Sequence, residues 1–471
     1  MDLSAVNVII NYYWMQKKKT YWKNSEQLNS ESSIIKKLEQ NEFVEKLPIG
    51  PNSSELIENS SSSRRDFLKF VGFSTAAAAA AACEGPVVKS IPYVIQPEQL
   101  VPGVSSYYAT SIADGFDFAN ILVKTREGRP IKVENNNESN FFNCTNARVH
   151  ASVLSMYDSK RIKAPISNLD SKPKSLEWDD LYLSVKNKLD LLSKENKKVI
   201  LLTNTIPSPT TKDIIKSFIT KYPNVEHVIY DTVSSHSASE AYRAYYGNLG
   251  LVDYDFSNTK LIVSIGADFL GDWQGGGFDS GYTKNRVPVK DGDSGSMSKH
   301  IQVESNMTLT GANADERVPC NFNDQKMFLA YIYNSLLKKN KQINVTSSHK
   351  EKLDQILSQI KSHGSRAVVI TGIENLDAQK MVLEINNFIQ SNAFDTSRPR
   401  LIKESDSKLL NSALESINKG DVSGILTFGV NPVYSLPGGQ KFKSAVKKMD
   451  LSVAFSMLKD ETASICQFIA A

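Results

Sequence analysis

The stretch Lys198–Thr203, KVILLT, constrains this chain more than any other six residues. Its four apolar residues run without a break, whereas a strand with one wet face would alternate; a run this short and this apolar suits a strand buried on both faces, as inside a parallel sheet. The residues after it agree. Ser208 suits a helix N-cap, Pro209 the first helical position, and Ile214, Ile215, Phe218, Ile219 and Tyr222 fall on one helical face. His227–Tyr230 supplies a second strand, Ser237–Tyr246 a helix, and Lys260–Ile265 a third strand. That alternation predicts a parallel sheet with right-handed crossovers. The pattern recurs as a strand over Arg366–Ile370, a helix over Asp377–Phe388, and strands over Gly424–Gly429 and Leu451–Phe455. The expected class is therefore α/β, with two parallel-sheet halves assigned to 166–345 and 346–471.

Residues 84–165 read as a small β-rich subdomain. Asn120–Thr125 and Pro130–Val133 flank Glu127-Gly128-Arg129, a turn of hairpin length. Residues 1–62 are rich in Asn, Ser, Lys and Glu and read as a flexible arm. Within it Lys17–Lys19 follow Met15, which suggests a translation start at Met15, the alternative being a basic surface-binding helix. Ligands of parallel sheets sit beyond the carboxyl ends of the strands. Those ends are Asn204-Thr205, Gly266-Ala267-Asp268, Thr371-Gly372 and Val430-Asn431-Pro432. They suit backbone contacts to a nucleotide, or simply tight turns; no GxGxxG follows any strand. A Gly, Asp and Ser-rich segment over Asp272–Pro319 exceeds the usual connection of about 2–6 residues, and reads as a covering loop or as disorder.

At 471 residues the chain is long enough for more than one packed core. Its 55 Lys and Arg against 51 Asp and Glu leave a net charge of +4, too little for the basic stripe that nucleic acid needs. The four cysteines, Cys83, Cys144, Cys320 and Cys466, form no CxxC pair, which removes the spacings that hold zinc or iron–sulfur clusters; a disulfide stays open. No run of 18 apolar residues suggests a membrane span.

Ser63–Lys69, SRRDFLK, matches the twin-arginine export pattern through Arg64 and Arg65. Phe70–Ala82 behind it is a short alanine-dominated apolar stretch, so 63–83 reads as a signal or anchor. An Ala-rich helix is the plainer reading, for alanine has the best helix propensity, but it leaves the arginine pair unexplained. Cys83 is a candidate lipidation site or a plain free cysteine.

Eight blocks carry a family resemblance. They are YWKNSEQL (Tyr21–Leu28), GRPIKVE (Gly128–Glu134), ASVLSMYDSKRIK (Ala151–Lys163), LEWDD (Leu176–Asp180), IGADFLGDW (Ile265–Trp273), MTLTGANADER (Met307–Arg317), GVNPVY (Gly429–Tyr434) and DETAS (Asp460–Ser464). In this order they resemble the molybdopterin-oxidoreductase-like iron–sulfur subunit of bacterial Alternative Complex III. The resemblance implies a twin-arginine-exported subunit on the periplasmic face of the inner membrane. Its complex oxidises quinol and passes electrons to a cytochrome or an oxidase, so the partners implied are a multihaem cytochrome and a quinol-binding integral membrane subunit. The membrane surface would be reached through them or through a lipid on Cys83.

The resemblance also implies a molybdopterin-oxidoreductase-like body without molybdopterin, its 4Fe-4S and 3Fe-4S clusters confined to a C-terminal ferredoxin-like domain. This chain stops at Ala471 without the cysteine-rich part, so the expectation is an N-terminal piece, incomplete at the C-terminus, with no cofactor of its own and a structural role beside electron transfer. The alternative is a periplasmic molybdopterin-dependent oxidoreductase. In the wider superfamily a Cys or Ser ligand to molybdenum follows the second strand, where Ser235 and His236 stand here. With Asp268 and Asn431, and further Arg148 and Asp272, they are the candidate relic pocket residues; an N-cap and ordinary turn polar groups are the plainer reading.

Overall fold

The computed structural model describes residues 101–471 except 102, 140, 141, 144, 171, 272, 288–296, 340, 342, 344 and 346, with 347 and 348 described in backbone only. All of these belong to one compact unit, Gln96–Ala471. The segment expected as an arm, 1–62, together with Arg64, Arg65, Cys83, Cys144 and Asp272, lies outside the described residues.

The first strands, β1 (Ser106–Ala113), β2 (Phe118–Arg126) and β3 (Arg129–Asn135), form an antiparallel sheet with β2 in the middle. Glu127 and Gly128 turn the β2–β3 hairpin with φ of 44° and 76°, the left-handed pair that a two-residue turn between twisted strands requires. Ala119, Ile121, Val133 and Val149 make its small core, the last from the Ala147–Ala151 helix.

Beyond it, β4 (Ile166–Ser167) and β5 (Lys174–Ser175) precede β6 (Val199–Thr203) and β7 (Val225–Ile229). Then come β8 (Leu251–Tyr254), β9 (Leu261–Ile265), β10 (Lys299–Glu304), β11 (Glu316–Pro319), β12 (Ala367–Thr371) and β13 (Phe394–Arg400). Last are β14 (Gly424–Phe428), β15 (Leu451–Phe455) and β16 (Phe468–Ala470). All five residues of β6 are buried, as its unbroken apolar run requires, and Pro209–Lys221 is helical with the Ser208 side chain accepting from the Thr211 N–H.

Two arrays result, parallel except for β4 and β5, which pair antiparallel at one edge, but they do not divide the chain at 345. A seven-stranded sheet runs β5-β4-β16-β15-β14-β6-β7 and a four-stranded one β11-β10-β9-β12, so each draws strands from both 166–345 and 346–471. The third predicted strand, β9, thus opens a second sheet instead of joining β6 and β7. The helix His236–Tyr246 leads into β8, which pairs with β13 and turns the chain away from β7. The expected loop over Asp272–Pro319 likewise holds β10, buried from His300 to Glu304, together with β11 and the Asp279–Lys284 and Leu309–Ala312 helices.

Each sheet is covered on both faces. The seven-stranded sheet packs Trp178–Lys194 and Pro209–Lys221 on one side, and Ser407–Lys419 and Gly439–Val446 on the other. The four-stranded sheet packs Phe322–Leu337, Ser347–His363 and Leu376–Ile389 on one side, and His236–Tyr246 with β8 and the Phe269–Tyr282 stretch on the other. At about 1.5–3 kcal/mol for each fully buried aliphatic side chain, these four clusters hold the frame irrespective of any ligand.

Candidate functional site

In an open α/β sheet a ligand crevice lies at the carboxyl ends of the strands where the strand order reverses. The seven-stranded sheet reverses between β6 and β14, with β7 on one side and β15 and β16 on the other. Asn204, directly after β6, stands at that point. Gly429, after β14, has φ 66°, and a Cβ there would lie 2.9 Å from the Asn204 amide atoms. Gly115, in the β1–β2 turn with φ 87°, would put a Cβ 2.9 Å from the same amide. Only glycine permits both the left-handed backbone and so close an approach, and the two loops meet on Asn204.

A polar network fixes these loops. Asp231, buried two residues after β7, accepts from the Thr205 N–H at 2.8 Å and from Thr205 Oγ1 at 2.6 Å. Thr205 Oγ1 in turn accepts from the Glu404 N–H at 2.7 Å, and the Glu404 carboxylate takes Lys212 Nζ at 2.8 and 2.7 Å. Buried Lys403 donates to the Gly115 carbonyl, 5.7 Å from the Phe116 ring centre. Burial lowers the Lys403 pKa, against the opposing pull of Asp231, Asp114 and Asp117.

Asp117 anchors the same turn. Arg148 grips it through Nε at 2.7 Å and Nη2 at 2.8 Å, and Asn146 Nδ2 adds a bond at 2.7 Å. Burial pushes the Asp117 carboxyl up, but the hydrogen bonds from Arg148 and Asn146 outweigh it and hold the group below its ordinary value. Between this pair and Gly275–Gly277 remains a cavity of about 30 Å³. That is about one water's share of liquid volume, against about 300–1,000 Å³ for small-molecule pockets.

The four-stranded sheet reverses between β9 and β12. There the two backbones touch, for a Cβ on Gly372 would lie 2.0 Å from the Gly266 carbonyl oxygen. Thr371 Oγ1 donates to the Ile265 carbonyl at 2.9 Å, and Trp273 Nε1 donates to the Thr371 carbonyl at 3.1 Å.

The four candidate pocket residues end in three separate places. Ser235 is buried directly before the His236–Tyr246 helix without capping it, and His236 Nδ1 donates to the Ser405 carbonyl at 3.2 Å. The helix start is held instead by Glu374, which accepts from the Ser237 N–H at 3.3 Å and whose pKa burial raises. Asp268 Oδ1 accepts from Thr310 N–H at 3.1 Å and Oγ1 at 2.6 Å. Asn431 Oδ1 accepts from Thr462 N–H at 3.2 Å and Oγ1 at 2.7 Å while its amide donates to Glu461. Among the described residues no hydrogen bond joins any of these four to another. Nor, among the described residues, do three or more His, Cys, Asp or Glu gather to hold a metal, and no helix of the described residues is long and apolar enough to cross a membrane. Sequence reasoning picked out Asn204 and Thr205 as strand ends but missed Asp231, Lys403 and Glu404. Asp231 could have been found by the same rule applied to β7; the other two lie in a segment without pattern.

No family model matches the chain. The menaquinone reductase molybdopterin-binding-like subunit of Nitratidesulfovibrio vulgaris (strain Hildenborough) is 21% identical over 461 residues, covering 86% of this chain and 64% of its own. The molybdopterin-containing subunit ArrA of the arsenate respiratory reductase of Shewanella sp. (strain ANA-3) is 24% identical over 252 residues, or 50% of this chain and 28% of its own. The structure of acetylene hydratase from Pelobacter acetylenicus superposes with a TM-score of 0.51 at 11% identity, covering 77% of this chain and 60% of that one. This chain therefore spans less than two thirds of the length of each.

Proposed function

We propose that this chain, whose mixed α/β fold is molybdopterin-oxidoreductase-like, serves as a structural subunit of a quinol-oxidising respiratory complex of the Alternative Complex III kind and holds no cofactor of its own. One observation carries the reading: at both points where strand order reverses, the chain's own atoms occupy the crevice, Asn204 under Gly115 and Gly429 in one sheet and Gly372 against Gly266 in the other. A bound pterin would supply a dithiolene-held metal for two-electron chemistry. The residues around Asn204 do not fit it, since their polar groups pair with one another and Gly115 and Gly429 lie directly against the Asn204 amide.

The names of the two relatives, subunits of a menaquinone reductase and of a respiratory arsenate reductase, support a respiratory setting. The family resemblance supports a multihaem cytochrome and a quinol-binding membrane subunit as partners. The Arg64-Arg65 signal supports export by the twin-arginine route to the periplasmic face, with Cys83 as a second attachment if acylated. The four-iron and three-iron clusters of such a complex would then reside in polypeptide other than these 471 residues.

Metal and pterin analysis of the chain, purified alone and with whatever membrane subunits it retains, tests this. The expected result is neither molybdenum nor iron at stoichiometric level in the chain alone, with iron and haem appearing in the retained assembly. Stoichiometric molybdenum with a releasable pterin in the isolated chain would reverse the assignment in favour of a molybdopterin-dependent oxidoreductase.

A further inference from the structure

The small antiparallel sheet keeps one edge open. β1 pairs with β2 residue for residue over all eight positions, without a bulge. In such a ladder alternate residues turn both backbone groups toward the partner strand. The Asp114 N–H, which donates to the Asp117 carbonyl at 3.3 Å, sets the phase, so Ser106, Tyr108, Thr110 and Ile112 bond to β2. Tyr107, Ala109, Ser111 and Ala113 therefore direct their N–H and C=O groups away from the sheet, and among the described residues no hydrogen bond meets those groups.

A bare strand edge invites pairing with another chain, and proteins blunt such edges with charge, proline, shortness or a cover. The other sheet edges here are blunted in these ways. β3 carries Arg129, Pro130 and Lys132, and β11 carries Arg317 and Pro319. β7 carries Glu226, β8 Asp253 and β13 Pro399, while β5 is two residues long and Asn386 bonds along β12. β1 has none of these devices. Its sequence SYYATSIA holds no charge and no proline, and six of its eight residues are exposed, Tyr107 by 50% and Tyr108 by 55%.

We propose that β1 is a docking edge for an extended segment of a partner polypeptide, which adds beside it as a fourth strand. A row of main-chain donors and acceptors at strand spacing is matched by the backbone of another strand. The faces of the sheet set the side chains of that segment. Tyr108 and Thr110 share the face of Ile112, which packs against the Ala119, Ile121 and Val133 core. The segment therefore places β-branched or aromatic residues at every second position on that face. Eight residues make an edge about 27 Å long and about 10 Å thick, or about 270 Å² on each partner. Two folded bodies need about 800 Å² each for a stable contact, so the edge suits an extended arm and not a second copy docked through β1 alone. The edge is independent of whether the chain holds a cofactor.

Residue-resolved amide exchange of the full chain, with and without the alternating peptide KTVTITVTK, tests it. In the isolated chain the amides of Tyr107, Ala109, Ser111 and Ala113 should exchange fast and those of Tyr108, Thr110 and Ile112 slowly. Saturating peptide should slow the first set. Ala109→Pro should weaken the peptide by about tenfold, the scale of one lost hydrogen bond. The Ala109 N–H lies outside the β1–β2 ladder, so proline there should leave Tm nearly unchanged, whereas Thr110→Pro breaks the ladder and should lower it. The exchange measurement on the unsubstituted chain decides even where proline disturbs the strand. Outward amides already slow before peptide is added, no slowing at saturating peptide, or binding that survives Ala109→Pro overturns the proposal. Dimerisation of the isolated chain that Ala109→Pro abolishes would overturn it in favour of a second copy as the occupant.

Discussion

Asp231→Ala separates a packed strand end from a pocket kept for a ligand. Asp231 is 3% exposed and accepts two hydrogen bonds from Thr205, which is itself 3% exposed. Hydrogen bonds to a charged acceptor contribute about 1.5–3 kcal/mol each, and a buried donor stripped of its partner costs about 1–3 kcal/mol. Lys403 would also lose one of the negative charges that offset its burial. These terms overlap, so about 3–5 kcal/mol is expected for Asp231→Ala, and about half that for Asp231→Asn, which keeps an acceptor oxygen. A loss of that size is a large share of the roughly 5–15 kcal/mol that usually holds a domain together. Urea unfolding followed by far-UV circular dichroism would show it as a lower midpoint at unchanged slope. Amide exchange at Thr205 should accelerate in parallel. Residues retained for binding are commonly replaced with little loss of stability, or even a gain. A change below about 1 kcal/mol in Asp231→Ala, with slow exchange at Thr205, would refute the packing argument.

Three further outcomes rest on buried polar groups elsewhere. His300 is fully buried in β10, and burial depresses its pKa from 6.5 to about 4. Between those values the unfolded chain binds a proton that the folded chain refuses, so stability should fall as pH drops from about 6.5 to about 4, by up to about 3 kcal/mol. Urea midpoints measured from about pH 7 to about pH 4.5 should lose that component of the slope in His300→Gln. Asn386 covers the edge of β12, accepting from the Val369 N–H at 3.0 Å and donating to the Val369 carbonyl at 2.7 Å. Asn386→Leu strands both backbone groups and should cost about 2–4 kcal/mol in the same assay. Burial raises the thiol pKa to about 12 at Cys466 and about 11 at Cys320, so peptide mapping after iodoacetamide at about pH 8 should find Cys466 unlabelled until the chain is denatured, and Cys320 labelled slowly.

What the sequence made legible was the set of strands whose burial is written in apolar residues. β6, β12, β14 and β15 were found in place, as were the helix behind Ser208-Pro209 and the hairpin at Glu127-Gly128. β10 was missed because only one of its two buried faces is apolar, Ile301 and Val303, while the other carries His300, Gln302 and Glu304, which read as a wet face. They are buried because Tyr282 and Gln302 meet the two nitrogens of the His300 ring, the Ala267 carbonyl meets Gln302, and Thr308 and Arg317 meet Glu304. Partners distant in sequence, such as Ala267 for Gln302, cannot be read from local pattern, nor can strand order. A strand buried on both faces looks the same beside any neighbour, so β9 was assigned to the wrong sheet. For the site, the strand-end rule located Asn204 and Thr205. It could not show that Gly115, from another sheet, would cover Asn204.

The closure at Asn204 matters for function because it is held redundantly. The β1–β2 turn is tied down by Arg148 and Asn146 on Asp117 and separately by Lys403 on the Gly115 carbonyl, while Thr205 is fixed from β7 by Asp231 and to the 403–404 segment by Glu404. Removing the Asn204 side chain would therefore open only its own volume, since the turn above it keeps every other attachment. Reopening a ligand-sized crevice would require Gly115 to lift away, which breaks the Lys403 contact and exposes a buried ammonium's partner along with the Asp117 pair. Lys403 and Asp117 are buried and charged, so their release is concerted and costly in a way that a loop closing over substrate is not. The same polar residue types that could cradle a ligand at strand ends are here committed to one another, and the sheets beneath them are filled by their own side chains. The fold remains mixed α/β and molybdopterin-oxidoreductase-like, and at these strand ends its packing is supplied by the chain's own residues.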